Sequence, residues 1–313
     1  MWDSAMSAAK IVDTINHCGK VTIDFDNEAP DIHTTELEPV LNYLHSIGIE
    51  KHQVEIITGN LVESYNKFNV IKRPASMYEL PTFQRMADQV DKNKHIQKHF
   101  GCFVGRSNIN RLLLAGHLKA NYADKTLMTY HFSPGVDFHR VHLGLEDILY
   151  HFGANSVEFD EAIALIKQSP IKNDQTQYVY PIDNNHNANI CDWYKNIFVD
   201  IVCETFSNGN VFFLTEKFWR PIVTKTPFIL QGSQFTLKRL KQLGFQTFDR
   251  WWDEGYDEDP YLHSQKEIKK VLEYLGNLDL DQINQMYNDM QETLTHNYNC
   301  MMNLTYKDFA CVK

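Results

Sequence analysis

Apolar residues change their spacing repeatedly along the chain, and the changes mark out alternating strands and helices. "GKVTIDFDNEAP" (19–30) opens as a β-branched run and leaves into an acidic loop, which predicts a short strand. "TTELEPVLNYLHSIGI" (34–49) has threonines at its start, acids in the first turn and apolar residues at helical spacing, the pattern of a capped amphipathic helix. "QVEIITGN" (53–60) is again β-branched and ends at a turn. Strand, helix and strand in this order predict a parallel βαβ unit. Residues 61–98 are polar and carry no clear period. There "KRPASMYELPTF", with its two prolines, reads as a loop. The basic run "KNKHIQK" (92–98) reads as a solvated helix face, with His95 and His99 on one side of it.

A second series starts near residue 100. "FGCFVGRS" (100–107) predicts a buried strand ending at Gly105, "INRLLLAGHLKANY" (109–122) an amphipathic helix and "KTLMTYHFS" (125–133) the next strand. Residues 134–176 are less regular, with one predicted helix at "FDEAIALIKQS". "ICDWYKNIFVDIVCETFS" predicts a helix feeding a strand that ends near Glu204. "TEKFWRPIVT", "PFILQG", "FTLKRLKQLG" and "FQTFD" continue the alternation, and "SQKEIKKVLEYLGN" and "DLDQINQMYNDMQETLTHNYN" close it as helices. The expected fold is α/β, with two Rossmann-like domains dividing near residues 90–100 into 1–97 and 98–313, the second carrying C-terminal helices.

Composition narrows the function. A net charge of −10 over 313 residues argues against broad, sequence-independent nucleic-acid binding while leaving a local basic groove open. "LKRLKQ" (237–242) and the run at 92–98 are the dense basic clusters, both expected on solvated helix faces. No apolar run approaches the roughly 18 residues of a membrane span. The N-terminus lacks the basic start and apolar core of a secretion signal. Six cysteines are scattered without C-x-x-C spacing, which fits reduced thiols in a cytoplasm better than a disulfide framework or a zinc site.

The stretch "NVFFLTEKFWRPIV" (210–223) carries the sharpest chemical signal. Thr215 is placed to cap a helix, and Glu216 and Lys217 fall in its first turn. A helix N-terminus presents unpaired N–H groups and a partial positive charge, so it suits phosphate. Glu216 is favourable there for the dipole alone, whereas Lys217 is mildly unfavourable unless an anion offsets it. Pro221 should kink or shorten the helix.

Glu204 in "CETFS", followed by "LTEKFWRPIVTKTPFILQG", resembles the donor-binding segment of GT-B glycosyltransferases of the α-1,3-fucosyltransferase type. Glu204, Ser207, Thr215, Glu216, Lys217, Pro227 and Gly232 match that family's order of residues. Phe213 or Leu214 stands where the family has a tyrosine. "FVGRSNINRLLLAGHL" resembles the first strand–turn–helix of the same domain, with Arg111 matching its phosphate-facing arginine and Arg106 a rival. A similar arrangement, including "LKQLGFQTFDRWWDE", occurs in phage and giant-virus proteins assigned as glycosyltransferases. The resemblance covers roughly residues 100–300 and is specific around 204–232.

It implies a nucleotide-diphosphate sugar as donor, a glycan or other hydroxyl compound as acceptor, inverting displacement and no required metal or other cofactor. The acids of the turn would accept hydrogen bonds from ribose hydroxyls, and Lys217 and Arg111 would contact the diphosphate, where negative charge grows as the glycosidic bond breaks. The acidic loop of the N-terminal half would face the cleft, making Asp24, Asp26 or Glu28 the candidate general base. Asn60, at the end of the second strand, is a candidate acceptor contact. Asp24-Phe25-Asp26 is also a D-x-D, but "DED" (257–259) and "DLD" (279–281) repeat the pattern, so as a metal signal it is weak. His131, His139, His142 and His151 cluster without an H-E-x-x-H or a cysteine partner. Aromatic residues in "DRWWDEGYDEDPY" (249–261) read first as packing. A glycosyltransferase acting on modified bases of viral DNA and a nucleotide-sugar binder without catalysis are the alternatives.

Overall fold

The computed structural model describes residues 8–25, 31–34, 37–73, 76–105, 107–130, 138–171, 190–259 and 262–312. Among them the chain is α/β with two parallel sheets. Strands β1 (Val21–Asp24), β2 (Val54–Thr58) and β3 (Asn69–Lys72) pair in sequence order, with Val21 opposite Val54 and Glu55 opposite Asn69. Helices α1 (Ala8–Cys18) and α2 (Leu37–Ser46) supply Ile11, Ile15, Leu41 and Leu44 to a core that also holds Ile23, Val54 and Ile56. The spacing of Leu41 and Leu44 is the helical repeat read from the sequence, whereas α1 lies in a stretch to which that reading assigns no element. Strand β3 has no such signature, because its four residues are mostly exposed.

The prolines of "KRPASMYELPTF" predict a loop, yet α3 (Ser76–Met86) runs straight through Pro81. Proline forfeits one backbone bond inside a helix. Tertiary burial outweighs that loss here: Leu80, Phe83 and Met86 all enter the core of the second sheet. The basic run that follows is likewise not a helix. Residues 91–97 form neither helix nor strand, and the Lys94 ammonium is buried, donating to the carbonyls of Tyr194 at 2.6 Å and Ile197 at 3.2 Å and to Thr226 Oγ1 at 2.6 Å. Burial lowers its pKa to about 7 against the pull of Asp200. His99 is buried in the next strand, so it does not share a solvated face with His95.

Strands β4 (Lys98–Val104), β5 (Thr126–Tyr130), β6 (Ile197–Cys203) and β7 (Phe228–Gln231) form the second sheet in the order β5-β4-β6-β7, all parallel. Helix α4 (Ile109–Asn121) crosses from β4 to β5. Helices α5 (Phe138–Phe152) and α6 (Val157–Lys167) follow. The first of these lies in the stretch the periodicity leaves irregular. Helices α7 (Glu216–Val223) and α8 (Thr236–Gln242) flank β7. Arg239 of α8, expected on a solvated face, is buried and donates to the carbonyls of Val211 at 3.2 Å and Gln234 at 2.9 Å.

Helix α9 (Leu262–Gly276) leads to α10 (Leu280–Asp289) and α11 (Gln291–Asn303). The sequence predicts these last two as one helix. They break at Met290, whose fully buried side chain ties the junction into the core. Helix α11 reaches back to α3, where Gln84 Nε2 donates to the carbonyls of Met301 at 2.8 Å and Leu304 at 3.1 Å. The buried apolar residues therefore form one core behind β1–β3 and a larger one around β4–β7, and α3 belongs to the second. Trp252 and Tyr256 pack into that larger core, Trp252 stacked on Phe248 with ring centres 5.2 Å apart.

Candidate functional site

Strand β4 has β5 on one side and β6 on the other, so the chain leaves the centre of the second sheet in opposite directions. In open parallel sheets this switch point opens a crevice at the carboxyl ends of the strands. Two segments converge there. After β4, Asn108 in an extended conformation caps α4, its Oδ1 accepting the Arg111 N–H at 3.0 Å. That cap sets Asn110 and Arg111 on the first turn. Arg111 reaches over the end of β6, donating from Nε and Nη2 to the Cys203 carbonyl at 3.4 and 3.2 Å and from Nη2 to Thr205 Oγ1 at 3.3 Å. Burial pulls its pKa down, opposed by the thiol of Cys203 and the carboxyls of Glu216 and Glu204. Asn110 donates to Ser207 Oγ and accepts from Gln265 Nε2 at 3.2 Å.

After β6, Glu204 is almost wholly buried, and its two carboxyl oxygens are both used. Oε1 accepts the Thr215 N–H at 3.0 Å and Oε2 the Thr215 hydroxyl at 2.6 Å. Burial raises its pKa, while Lys217 and the two bonds from Thr215 resist the rise. Thr215 in turn caps α7 by accepting the Lys217 N–H at 3.4 Å. The loop between β6 and α7 is thus closed by one acid and one hydroxyl.

Lys217 has an offset inside the protein. Its ammonium meets Glu216 Oε1 at 2.7 Å and Thr215 Oγ1 at 3.2 Å. Arg220, one turn on, lies 3.9 Å from the same Glu216 oxygen. Burial alone would raise the Glu216 carboxyl, but Lys217 and Arg220 hold it well below the usual carboxylate range. The Glu216 and Lys217 side chains keep 26 % and 15 % of their surface, so a ligand can still reach both.

A third acid enters from α3, which packs on α7. Glu79 Oε2 is buried without a hydrogen-bond partner. Burial, with Glu216 and Glu204 adding to it and Lys217 and Arg220 opposing, pushes its pKa up to about 9. Arg111, Glu204, Thr215, Glu216 and Lys217 are therefore one cluster, with Ser207 tied in through Asn110. Sequence reasoning missed Glu79 and Arg220. Arg220 has a signal, the i, i+4 spacing from Glu216. Glu79 has none, since it lies in a stretch read as a loop.

The candidates from the first half are placed differently. Asp24 closes β1 and pairs with Arg73 at 3.3 Å on the surface. Asp26, Glu28 and Arg106 lie outside the described residues, as does His131. Asn60 is fully buried: Nδ2 donates to the Asn210 carbonyl at 3.0 Å, and Oδ1 accepts the N–H groups of Phe212 at 3.0 Å and Val62 at 3.2 Å. Beside it Asp31 accepts the Asn210 N–H at 2.7 Å. These bonds join the carboxyl end of β2 to the segment that leads into α7. His142 pairs with Glu146 at 3.3 Å on an exposed face of α5. No group of three or more His, Cys, Asp or Glu side chains suited to a metal ion occurs among the described residues. A shallow depression of about 860 Å³ lies on the first sheet between His33, Tyr65 and Lys72, and none of the sequence-predicted site residues lines it. No protein-family model, curated protein or solved structure matches the chain.

Proposed function

We propose that the protein is a glycosyltransferase that moves a sugar from a nucleotide-diphosphate sugar to a hydroxyl acceptor with inversion. The observation that carries this reading is the convergence of Arg111, Lys217, Glu204 and Glu216 at the switch point of the second sheet. Two cations and a helix N-terminus suit a diphosphate, and the partly exposed Glu216 suits a ribose hydroxyl. In this reading residues 98–313 are the donor side and 1–97 the acceptor side, as in GT-B enzymes. The bonds from Asn60 and Asp31 to residues 210–212 support it by bringing the carboxyl end of the first sheet to the segment that leads into α7.

In the transfer, the acceptor oxygen attacks the anomeric carbon opposite the diphosphate. A carbon–oxygen bond forms to the acceptor while the bond to the leaving phosphate breaks. The acceptor proton passes to a carboxylate from the acidic loop, Asp24, Asp26 or Glu28, and the nucleoside diphosphate departs. Arg111 and Lys217 act on the charge that grows on the leaving group, where donors aimed in advance stabilise the transition state most.

The test is release of nucleoside diphosphate from UDP-, GDP- and dTDP-sugars in the presence of a panel of glycan acceptors. Wild-type protein should turn over at least one donor, and Lys217→Ala should lower that rate about a hundredfold. Absence of release from every donor, or a Lys217→Ala rate equal to wild type, would contradict the proposal.

A further inference from the structure

Helix α3 lies on α7, so an acid from the first hundred residues sits against a cluster built by the second sheet. The charged groups facing Glu79 are Glu216, Lys217 and Arg220 of α7 and Glu204 at the end of β6, while α11 meets α3 through the Met301 and Leu304 carbonyls, which accept from Gln84. Lys217 and Arg220 therefore lie among three carboxyls, with Arg111 acting on Glu204 and Glu216, and Arg220 also faces Asp200 of β6. Glu204 accepts two hydrogen bonds from Thr215, as a carboxylate does, and Glu216 is an ion-pair partner. Glu79 differs from both, because its Oε2 is buried and accepts from nothing. A buried carboxylate oxygen without a donor is costly, and a protonated carboxyl avoids that cost but then needs an acceptor.

We propose that Glu79 is a ligand-binding residue that donates a hydrogen bond, as a neutral carboxylic acid, to a phosphate oxygen of a nucleoside diphosphate held by Lys217 and Arg111. The assignment rests on the nucleotide-sugar reading of the same cluster. It also accounts for the charge balance of the site. A neutral Glu79 removes one negative charge from beside Lys217 and Arg220, so the crevice is more favourable to an anion than with Glu79 ionised. The rise of the Glu79 pKa to about 9, caused first by burial, is in keeping with a proton retained at neutral pH. Two consequences follow for pH. A carboxyl raised from 4.5 in the unfolded chain to about 9 in the folded one contributes stability that is complete below the lower value and is lost as pH rises through the higher one. Affinity for the diphosphate should fall over the upper part of the same window, because only the protonated fraction is competent.

The experiment is titration of UDP, GDP and dTDP into wild-type protein, Glu79→Gln and Glu79→Ala from pH 7 to pH 10, with thermal unfolding of all three proteins over the same range. Glutamine keeps a donor that cannot ionise. The ratio of wild-type to Glu79→Gln dissociation constants should be near one at pH 7 and rise about tenfold by pH 10. Ligand ionisation cancels in that ratio. Glu79→Ala should bind more weakly than Glu79→Gln throughout, and Glu79→Gln should gain melting temperature over wild type as pH rises toward 9. A flat affinity ratio for a nucleotide that does bind overturns the role of Glu79 and leaves the nucleotide reading standing. Failure of UDP, GDP and dTDP alike to bind any of the three proteins, with folding confirmed by the melts, overturns both. A melting difference between Glu79→Gln and wild type that does not change with pH overturns the proton on its own.

Discussion

At the scale of single residues, Lys217 is the informative case. A cation in the first turn of a helix opposes the dipole, yet here it is held by Glu216 at 2.7 Å and by the capping Thr215. Because the two side chains keep part of their surface, the proposed diphosphate would draw the lysine without first breaking a fully buried bridge. Thr215 does the organising: it caps α7 and fills both oxygens of the buried Glu204. Thr215→Ala should therefore cost about 2 kcal/mol, adding a lost cap to a buried carboxyl short of one donor, with Thr215→Ser close to wild type. Urea denaturation measures this, and equal midpoints for the alanine and serine variants would remove Thr215 from that role.

At the scale of elements, α4 and α6 meet at Gly116, where a Cβ would lie 3.1 Å from the Glu161 carbonyl oxygen and carbon. Alanine would gain about 1 kcal/mol in helix propensity. Overpacking against backbone that cannot rotate away costs about 1–3 kcal/mol, so the second effect should win and Gly116→Ala should lower the thermal midpoint. A raised midpoint would mean that the two helices separate without penalty. The sequence carries these helices plainly, because their apolar positions recur at helical spacing and their caps, Asn108 and Ser156, are polar residues at the turn. It hides α3, because Pro81 argues locally against a helix that only the burial of Leu80, Phe83 and Met86 can justify. It hides β3 because four mostly exposed residues show no alternation. The run at 92–98 misleads for a different reason: lysine implies solvent, and Lys94 is instead satisfied by two carbonyls and a hydroxyl inside the protein.

At the scale of the whole molecule, two sheets with separate cores are joined by polar bonds between residues 31, 60 and 61 on one side and 210 and 212 on the other. Asn60 contributes two of them from one buried amide, whose oxygen also accepts the Val62 N–H. Gly209 lies in the left-handed region at φ 77°, and a Cβ there would meet Asp31 Oδ2 at 2.5 Å, so the approach of the two segments requires glycine. Asn60→Ala leaves the N–H groups of Val62 and Phe212 and the Asn210 carbonyl without their partner. It should cost about 2–4 kcal/mol, read as a lower denaturation midpoint, and a loss below about 1 kcal/mol would show that the junction is held elsewhere. The cluster at the end of the second sheet is legible in the sequence because Glu204, Thr215, Glu216 and Lys217 lie close together along the chain around one loop. Glu79 is not, because its partners lie far along the chain and only the packing of α3 on α7 brings it to them.

The central claim is that this cluster binds a nucleotide-diphosphate sugar, and a thermal-shift panel of UDP-, GDP-, CMP- and dTDP-sugars tests it most directly. A specific ligand at a hundredfold excess over its Kd stabilises the native state by about 2.7 kcal/mol. The account predicts a rise of several degrees with at least one diphosphate sugar, absent in Lys217→Ala. A panel in which no nucleotide sugar moves the transition, or in which Lys217→Ala responds as wild type does, would contradict it.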